Sequence, residues 1–253
     1  MAARLRAAGC VFAEDEAALI VETAGSPDEL ESMVGRRVSG LPLEQVLGWA
    51  EFHGLRVAVE PGVFVPRRRT ALLVEQAVEL LAGVQQPVVV DLCCGTGAVA
   101  MAVHDAVARV ELHAADIEPR AAHCARRNLA GIGIVHQGDL TSALPEDLAG
   151  RVDVIVVNAP YVPSAEIAMM PPEARDHEPR PALDGGADGV AIHRRVAAEA
   201  PRWLRPGGHL VVETSRSQGS QTREAMTRHG LDPRLVRSDD LDGTAVVGHV
   251  RTP

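Results

Sequence analysis

Hydrophobic and polar positions follow two different patterns along this chain, and the change from one pattern to the other marks the predicted strands and helices. After residue 86, short apolar runs typical of buried strands alternate with longer segments whose apolar positions have helical spacing. The predicted strands cover residues 87–92, 109–115, 133–136, 153–157, 209–214, 234–238 and 244–250, and the predicted helices cover residues 98–107, 119–129, 189–204 and 217–229. This alternation predicts an α/β, doubly wound, mostly parallel sheet with helices on both faces. The short 239–243 link predicts that the last two strands pair antiparallel.

The segment before this alternating pattern is predicted to be mostly helical as far as residue 47. Apolar spacing predicts a first helix over residues 11–24. A second helix is predicted to begin after the N-cap Ser26, with Glu29 completing a capping box, and to end near Gly35. Residues 42–47 predict one more helical turn.

A β-hairpin is predicted to link the helical segment to the alternating pattern. Residues 49–52 and 55–59 have strand character and flank the turn His53-Gly54. A helix is predicted next, over residues 70–81. The chain is therefore expected to divide into a small helical N-terminal region at 1–47, a linking hairpin at 48–66 and a larger domain at 67–253.

Charge and composition exclude several classes of function. The formal net charge of −9 argues against a surface that follows the phosphates of DNA. The cysteines form no CxxC pair and the histidines are scattered, so no metal site is expected. The chain shows no signal-peptide core and no apolar stretch near the ~20 residues that a membrane span needs. We therefore expect a cytoplasmic protein without direct DNA binding or membrane insertion.

One local basic cluster stands out against the acidic background. Arg67, Arg68 and Arg69 follow one another just before the predicted 70–81 helix. A solvated turn and a part of a functional site explain this cluster equally well.

A glycine-rich turn follows the predicted 87–92 strand. Residues Asp91 to Gly97 read Asp-Leu-Cys-Cys-Gly-Thr-Gly and open the predicted 98–107 helix. Glycines let the backbone approach a ligand closely, and a helix N-terminus offers free N–H groups. Taken alone, this Gly-x-Gly pattern is weak evidence, because a tight strand–helix turn also explains it.

Two further aspartates end the next two predicted strands. Asp116 lies about 20 residues after the glycines, where a carboxylate binds a ribose diol in dinucleotide-binding folds. Asp139 can accept a hydrogen bond from an adenine amino group. All of these groups lie at the carboxyl edge of the sheet, where α/β proteins bind ligands. They favour a site for a nucleoside-bearing ligand over solvated strand caps.

The buried 153–157 strand ends in Asn158-Ala159-Pro160-Tyr161, which carries the only tyrosine of the chain. Asn158 can accept a hydrogen bond from the N–H of a planar amide or amine, and backbone carbonyls can accept another. The tyrosine ring can pack against the face of the same group. This geometry suits methyl transfer to nitrogen, and the turn alone fits a base, an amide or a small amine.

The segment between Tyr161 and Gly189 is long, rich in proline and acidic residues, and weakly periodic. Loops of this length in compact domains are usually lids or disordered. Because the segment follows directly from the Asn158–Tyr161 turn, we expect a lid.

These motifs occur in the order found in the class I S-adenosylmethionine-dependent methyltransferases, which the chain resembles. It is most similar to the HemK/PrmC-type protein-glutamine N5-methyltransferases, whose hallmark is Asn-Pro-Pro-Tyr. The residues that carry the similarity are Gly95, Gly97, Asp116, Asp139, residues 158–161, the motifs at 51–55, 62–67, 178–183 and 185–189, and Glu213 and Gln218.

The resemblance implies a small helical N-terminal domain, a hairpin and a seven-stranded catalytic sheet. It also implies S-adenosylmethionine as methyl donor, S-adenosylhomocysteine as product, and a peptide chain release factor as substrate, methylated on the glutamine of its Gly-Gly-Gln loop. The residues implied to bind the cofactor are Asp91, Cys93, Cys94, Gly95, Thr96, Gly97, Asp116, Ile117, Asp139, Leu140 and Asn158. The residues implied to act in catalysis are Asn158, Ala159, Pro160 and Tyr161, and those implied to hold the substrate glutamine are Phe64, Asn158 and Tyr161.

Three features depart from the family pattern. Ala159 replaces the first proline of the hallmark, although its backbone keeps the carbonyl acceptor and Pro160 still favours extended geometry before it. Cys93 stands where the family usually has its first glycine, and the segment before the hairpin is shorter than expected. The alternatives are a methyltransferase for amino groups of nucleic acids or small molecules, and a non-catalytic, cofactor-binding partner of a translation factor.

Overall fold

A seven-stranded sheet lies at the centre of the computed structural model, which describes residues 1–251. The last two residues of the predicted 67–253 domain lie outside the described residues. In chain order the helices and strands are α1 (Ala2–Ala7), α2 (Ala13–Thr23), α3 (Pro27–Val38), α4 (Leu43–Leu47), β1 (Trp49–Phe52), β2 (Leu55–Ala58), α5 (Ala71–Leu80), β3 (Val88–Leu92), α6 (Ala98–Ala106), β4 (Glu111–Asp116), α7 (Pro119–Asn128), β5 (Ile134–Gln137), β6 (Val152–Val157), α8 (Pro172–His177), α9 (Ala191–Trp203), β7 (Leu204–Glu213), α10 (Gly219–Arg228), β8 (Leu231–Ser238) and β9 (Gly243–Val250).

The strands of the central sheet lie in the order β5-β4-β3-β6-β7-β9-β8. Strands β3 to β7 pair in parallel, whereas β9 pairs antiparallel with β7 on one side and with β8 on the other. The predicted doubly wound, mostly parallel sheet with an antiparallel hairpin at its end is confirmed. The chain leaves β3 towards β4 and leaves β6 towards β7, so a crevice opens between the carboxyl ends of β3 and β6.

Helices on both faces of the sheet explain why the central strands are continuous apolar runs. Every residue of β3 and β6 is buried. Helices α5, α6 and α7 pack on one face, and α9 and α10 pack on the other. A strand covered on both sides has no solvent-facing position, so the alternation of a half-exposed strand is absent.

The N-terminal helices have their own apolar cluster, and two of their details differ from the sequence prediction. Helix α1 was not predicted, and α3 continues past Gly35 to Val38. The extension follows from burial, because Val34 and Arg37 lie on one helix face and are both buried. Tertiary contacts of that face outweigh the weak helix propensity of one glycine.

The N-cap of α3 is confirmed with one change. Ser26 Oγ accepts a hydrogen bond from the backbone N–H of Glu29 at 3.2 Å. The Glu29 carboxylate accepts from the N–H of Gly25 at 2.8 Å rather than from that of Ser26. The Glu29 carboxylate therefore binds the backbone N–H one residue earlier in the chain than it does in a standard capping box.

Asn128 attaches the β1–β2 hairpin to the central domain. Its side chain accepts from the N–H of Ala58 and donates to the carbonyl oxygen of Ala58, both at 2.9 Å. The same amide donates to the carbonyl oxygen of Thr96 at 2.8 Å. The hairpin is thus fixed directly beside the glycine-rich turn. The division into regions 1–47, 48–66 and 67–253 stays a prediction.

Two absences hold for the described residues. None of the helices within residues 1–251 is long and apolar enough to cross a membrane. In the same part of the chain, no group of three or more His, Cys, Asp or Glu side chains converges as a metal ion would require.

Candidate active site

A cleft opens at the carboxyl edge of the sheet, where the turns after β3, β4, β5 and β6 meet. The cleft brings together nearly all of the residues that the sequence predicted for the site. Those that line it are Phe64, Asp91, Cys93, Cys94, Gly95, Thr96, Asp116, Ile117, Asp139, Leu140, Asn158, Ala159, Pro160 and Tyr161. Gly97 is not part of the lining.

The glycine-rich turn owes its shape to left-handed backbone conformations. Cys93, Gly95 and Gly97 have φ angles of +56°, +55° and +76°. Nothing lies within 4 Å of a Cβ built on Gly95, so the backbone there is open to close approach by a ligand. A Cβ on Gly97 would instead lie 3.2 Å from the Leu129 side chain. Gly97 therefore serves the close packing of α6 against α7.

Asp116 organises this turn from the neighbouring strand. Its carboxylate accepts hydrogen bonds from the N–H groups of Gly95 and Glu118, each at 2.9 Å. Burial raises the pKa of Asp116 above its ordinary value, and these two bonds partly offset that effect. Because a carboxylate offers about four lone pairs, two acceptor positions remain for a ligand diol.

Asp91 lies beneath the same turn and is almost fully buried. Its carboxylate accepts from the N–H of Ala100, in the first turn of α6, at 3.2 Å. Burial, followed by the nearby Asp116 charge, raises the pKa of Asp91 to about 8. Asp91 therefore links the end of β3 to the start of α6 at the base of the cleft.

The far end of the cleft combines an exposed apolar side chain with an ion pair. Ile117 lines the cleft and is 57% exposed. Asp139 accepts from Arg195 of α9, with the nearest N···O distance 2.8 Å. Sequence reasoning missed Arg195, because an arginine on a helix face gives no signal that distinguishes it from a solvated residue.

Asn158 follows β6 directly, and Thr70 orients its side chain. Asn158 Nδ2 donates to Thr70 Oγ1 at 3.3 Å. Thr70 is buried at the start of α5. With its amino group used in this way, Asn158 presents Oδ1 as an acceptor, and no described residue donates to that atom or to the Ala159 carbonyl oxygen.

The segment after the turn, which we name the strap (residues 162–188), is bound back onto the site. The N–H of Val162 donates to the Leu183 carbonyl at 3.0 Å, and the N–H of Gly185 donates to the Val162 carbonyl at 2.8 Å. Gln218 Nε2 donates to the carbonyls of Tyr161 at 2.8 Å and of Asp188 at 3.1 Å. Both ends of the strap are therefore fixed beside Tyr161. The lid role of this segment stays a prediction.

Two arginines of the basic cluster bind buried carboxylates beside the Asn158–Tyr161 turn. Arg67 donates to Glu178 of the strap at 2.7 Å, and Arg69 donates to Glu213 at the end of β7 at 3.3 Å. Burial raises the pKa of Glu178, and the Arg67 charge partly offsets this. Arg67 and Arg69 both line the cleft, and a functional role for the cluster stays a prediction.

Three comparisons with known proteins indicate the family of this chain. The methyltransferase small domain family matches residues 54–170. A release factor glutamine methyltransferase from Streptomyces coelicolor is 43% identical over 192 residues, which cover 75% of this chain and 68% of that protein. Another, from Mycolicibacterium smegmatis, is 41% identical over 216 residues, covering 84% of this chain and 75% of that protein. The chain belongs to the release factor glutamine methyltransferase family.

This member of the release factor glutamine methyltransferases has the fold of other methyltransferases. A methyltransferase from Pyrococcus furiosus superposes with a TM-score of 0.57 over 78% of this chain and 90% of that chain, at 15% sequence identity. The family resemblance inferred from the motifs is confirmed, and the chain is a methyltransferase. The roles of individual site residues stay predictions.

Thr70 offers a first test of how this methyltransferase orients its acceptor group. We expect Thr70→Val to lower kcat about three- to tenfold, the equivalent of one lost neutral hydrogen bond. Thr70→Ser keeps the hydroxyl and should stay near the wild-type rate. Steady-state kinetics of both variants check this, and an equal loss in both would contradict the orienting role.

Proposed function

We propose that this protein transfers a methyl group from S-adenosylmethionine to the side-chain amide nitrogen of a glutamine in the Gly-Gly-Gln loop of a peptide chain release factor. The observation that carries the proposal is the pair of free acceptors at the cleft, Asn158 Oδ1 and the Ala159 carbonyl, beside a glycine-rich turn. Family membership supports a release factor as the substrate, since the relatives are named release factor glutamine methyltransferases. Because release factors act on ribosomes, the proposal also places the enzyme in the cytoplasm.

The residues of the cleft fit a nucleoside-bearing sulfonium cofactor. Asp116 has acceptor positions left for the ribose diol, and the open Cα of Gly95 admits a ligand close to the backbone. Ile117 and Leu140 give apolar surface for the adenine ring, and Asp139 lies beside them. When bound, S-adenosylmethionine supplies an electrophilic methyl group.

The part of the cleft that binds the methyl acceptor must overcome the low nucleophilicity of an amide nitrogen, whose lone pair is delocalised. Asn158 Oδ1 and the Ala159 carbonyl each accept one N–H of the substrate amide. Two fixed acceptors orient the nitrogen and stabilise the positive charge that develops on it. The methylated nitrogen is acidic enough to lose its proton to water, so we assign no general base.

Ala159 is compatible with this geometry even though the family hallmark has proline there. Only the backbone carbonyl of this position accepts a hydrogen bond, and alanine retains it. The side chain of Ala159 is buried, and Pro160 restricts the conformation of the residue before it. The turn can therefore keep its shape without the first proline ring.

Incubation with radiolabelled S-adenosylmethionine tests the proposed function. The acceptors are purified release factor, the same factor with its Gly-Gly-Gln glutamine replaced by alanine, total cell protein and RNA. We expect label on the release factor and none on its alanine variant. Label on RNA alone would indicate a nucleic-acid methyltransferase, and cofactor binding without transfer to any pool would indicate a non-catalytic partner.

Asp116 is expected to dominate cofactor affinity. Asp116→Asn replaces hydrogen bonds to a charged group by neutral ones, which are weaker by about 1 kcal/mol each, so the affinity for S-adenosylmethionine should fall roughly 10- to 100-fold when both ribose bonds are affected. Asp139→Asn is the comparison, because its side chain is 47% exposed and already paired with Arg195. Calorimetric titration should show the smaller loss for Asp139→Asn; the reverse order would exclude Asp116 as the main ribose ligand.

A further inference from the structure

Glu213 connects two groups of the acceptor side of the cleft. Its Oε1 accepts from the Tyr161 hydroxyl at 3.2 Å and from Arg69 Nε at 3.3 Å. The guanidinium carbon of Arg69 lies 6.0 Å from the centre of the Tyr161 ring. The Glu213 side chain is only 4% exposed, whereas that of Arg69 is 44% exposed. The carboxylate is therefore held inside the protein, and the arginine reaches it from the cleft.

The arrangement is unfavourable for stability alone. The second carboxylate oxygen, Glu213 Oε2, is buried and has no hydrogen-bond partner among the described residues. A buried ionised oxygen without a partner raises the free energy of the folded state, and buried ion pairs often add nothing to stability. Local arrangements that lower the stability of the folded state are expected mainly at functional sites.

The Tyr161 hydroxyl points to Glu213 and donates its only proton to it, so that proton is engaged within the protein. Burial, followed by the Glu213 charge, raises the pKa of Tyr161 to about 12. Gln218 meanwhile binds the Tyr161 carbonyl oxygen at 2.8 Å. The residue is thus fixed both at its backbone and at the far end of its ring, which leaves the ring a single orientation beside Asn158.

We infer that Arg69 and Glu213 form a positioning pair that fixes the ring of Tyr161 through its hydroxyl and so shapes the pocket for the planar acceptor. The inference rests on the proposed function. It explains why the basic cluster contributes to the cleft, and it assigns a role to a buried carboxylate that forms no side-chain hydrogen bond to the proposed cofactor residues or to Asn158. A pocket of this shape selects a flat, neutral amide group whose face stacks on the Tyr161 ring.

Kinetics of Glu213→Gln separate positioning from folding. We expect kcat to fall about tenfold with the KM for S-adenosylmethionine unchanged, because the neutral amide holds the hydroxyl and Arg69 more weakly. The urea midpoint should stay equal or rise, because the unpartnered buried charge is gone. The matched control is Asp153→Asn, whose carboxylate is 8% exposed and bound by Arg205 at the opposite edge of the sheet. That control should keep the wild-type kcat in its folded fraction.

The only tyrosine of the chain gives a direct spectroscopic readout. Ultraviolet difference absorbance of tyrosinate reports Tyr161 alone, and Tyr161→Phe should abolish the signal. In Glu213→Gln the tyrosine should titrate at lower pH than in the wild type, towards its ordinary value of 10.0, because a neighbouring negative charge has been removed. The comparison extends to the highest pH at which circular dichroism still shows the folded state.

The inference would be overturned by an unchanged tyrosine titration in Glu213→Gln, by an unchanged kcat, or by a KM for the cofactor that rises as much as kcat falls. The combined Tyr161→Phe and Glu213→Gln variant should lose no more activity than the worse single variant, and additive losses would also overturn it. The titration needs no substrate. A wild-type protein that fails to label release factor would therefore refute the proposed function without affecting the test of this contact.

Discussion

Asn158→Ala should lower kcat on release factor by about 10²- to 10³-fold while leaving the affinity for S-adenosylmethionine nearly unchanged, as expected for the loss of one preorganised group that stabilises transition-state charge. Thr70 already occupies the amino group of Asn158 at 3.3 Å, so the free oxygen is the part that the substrate amide uses. Alanine removes this oxygen without disturbing β6, which ends at Val157. Single-turnover kinetics and calorimetric titration of the cofactor measure the two effects separately.

Asn158→Asp is the matched control for this prediction. It keeps one acceptor oxygen for the substrate, and its second oxygen can accept a hydrogen bond from the Thr70 hydroxyl. We therefore expect the aspartate variant to lose less activity than the alanine variant. Equal losses of turnover and cofactor affinity in Asn158→Ala would show that this residue supports the cleft as a whole rather than the acceptor.

Gly189→Ala should destabilise the protein by roughly 3–5 kcal/mol, since it combines an unfavourable backbone conformation with an overlap that cannot relax. Gly189 has a φ of +76°, and an added Cβ would overlap both Gln218 Nε2 and the carbonyl oxygen of Tyr161. Moving the carbonyl would displace the tyrosine, and the hydrogen bond from Gln218 would be lost with it. Urea unfolding measures the stability, and the methyl-transfer assay should show a large loss of activity in any folded fraction.

Gly54→Ala isolates the backbone part of this effect. Gly54 has a φ of +78°, close to that of Gly189, but nothing lies within 4 Å of its Cβ position. This control should cost about 1–2 kcal/mol, the penalty of a left-handed conformation alone. Similar destabilisation by both substitutions would mean that the contact between Gly189 and Tyr161 is not rigid.

The fold could be predicted because its signals are local. The apolar runs of β3 and β6 are continuous, and each ends in residues suited to a ligand-binding turn. The carboxyl ends of parallel strands meet at one edge of the sheet. The sequence positions of Asp116 and Asn158 were therefore enough to place both in one cleft.

The contacts that orient these residues could not be predicted in the same way. Glu178 belongs to no periodic sequence pattern. Its carboxylate nevertheless accepts a hydrogen bond from the N–H of Val65 at 3.2 Å, across 113 residues of sequence. Thr70 reaches Asn158 across 88 residues. Pairings of this kind depend on the exact path of the strap and of the segment before α5, and no local rule specifies that path.

The placement of β9 has a consequence for biosynthesis. Within the described part of the chain, β8 is an edge strand that pairs only with β9, and β9 bridges β8 to β7. While the ribosome still holds residues 243–250, β8 has no neighbour and the edge of β7 is open. Completion of the sheet must therefore wait until β9 leaves the exit tunnel, so a nascent chain should not acquire its final stability before residues 243–250 have emerged.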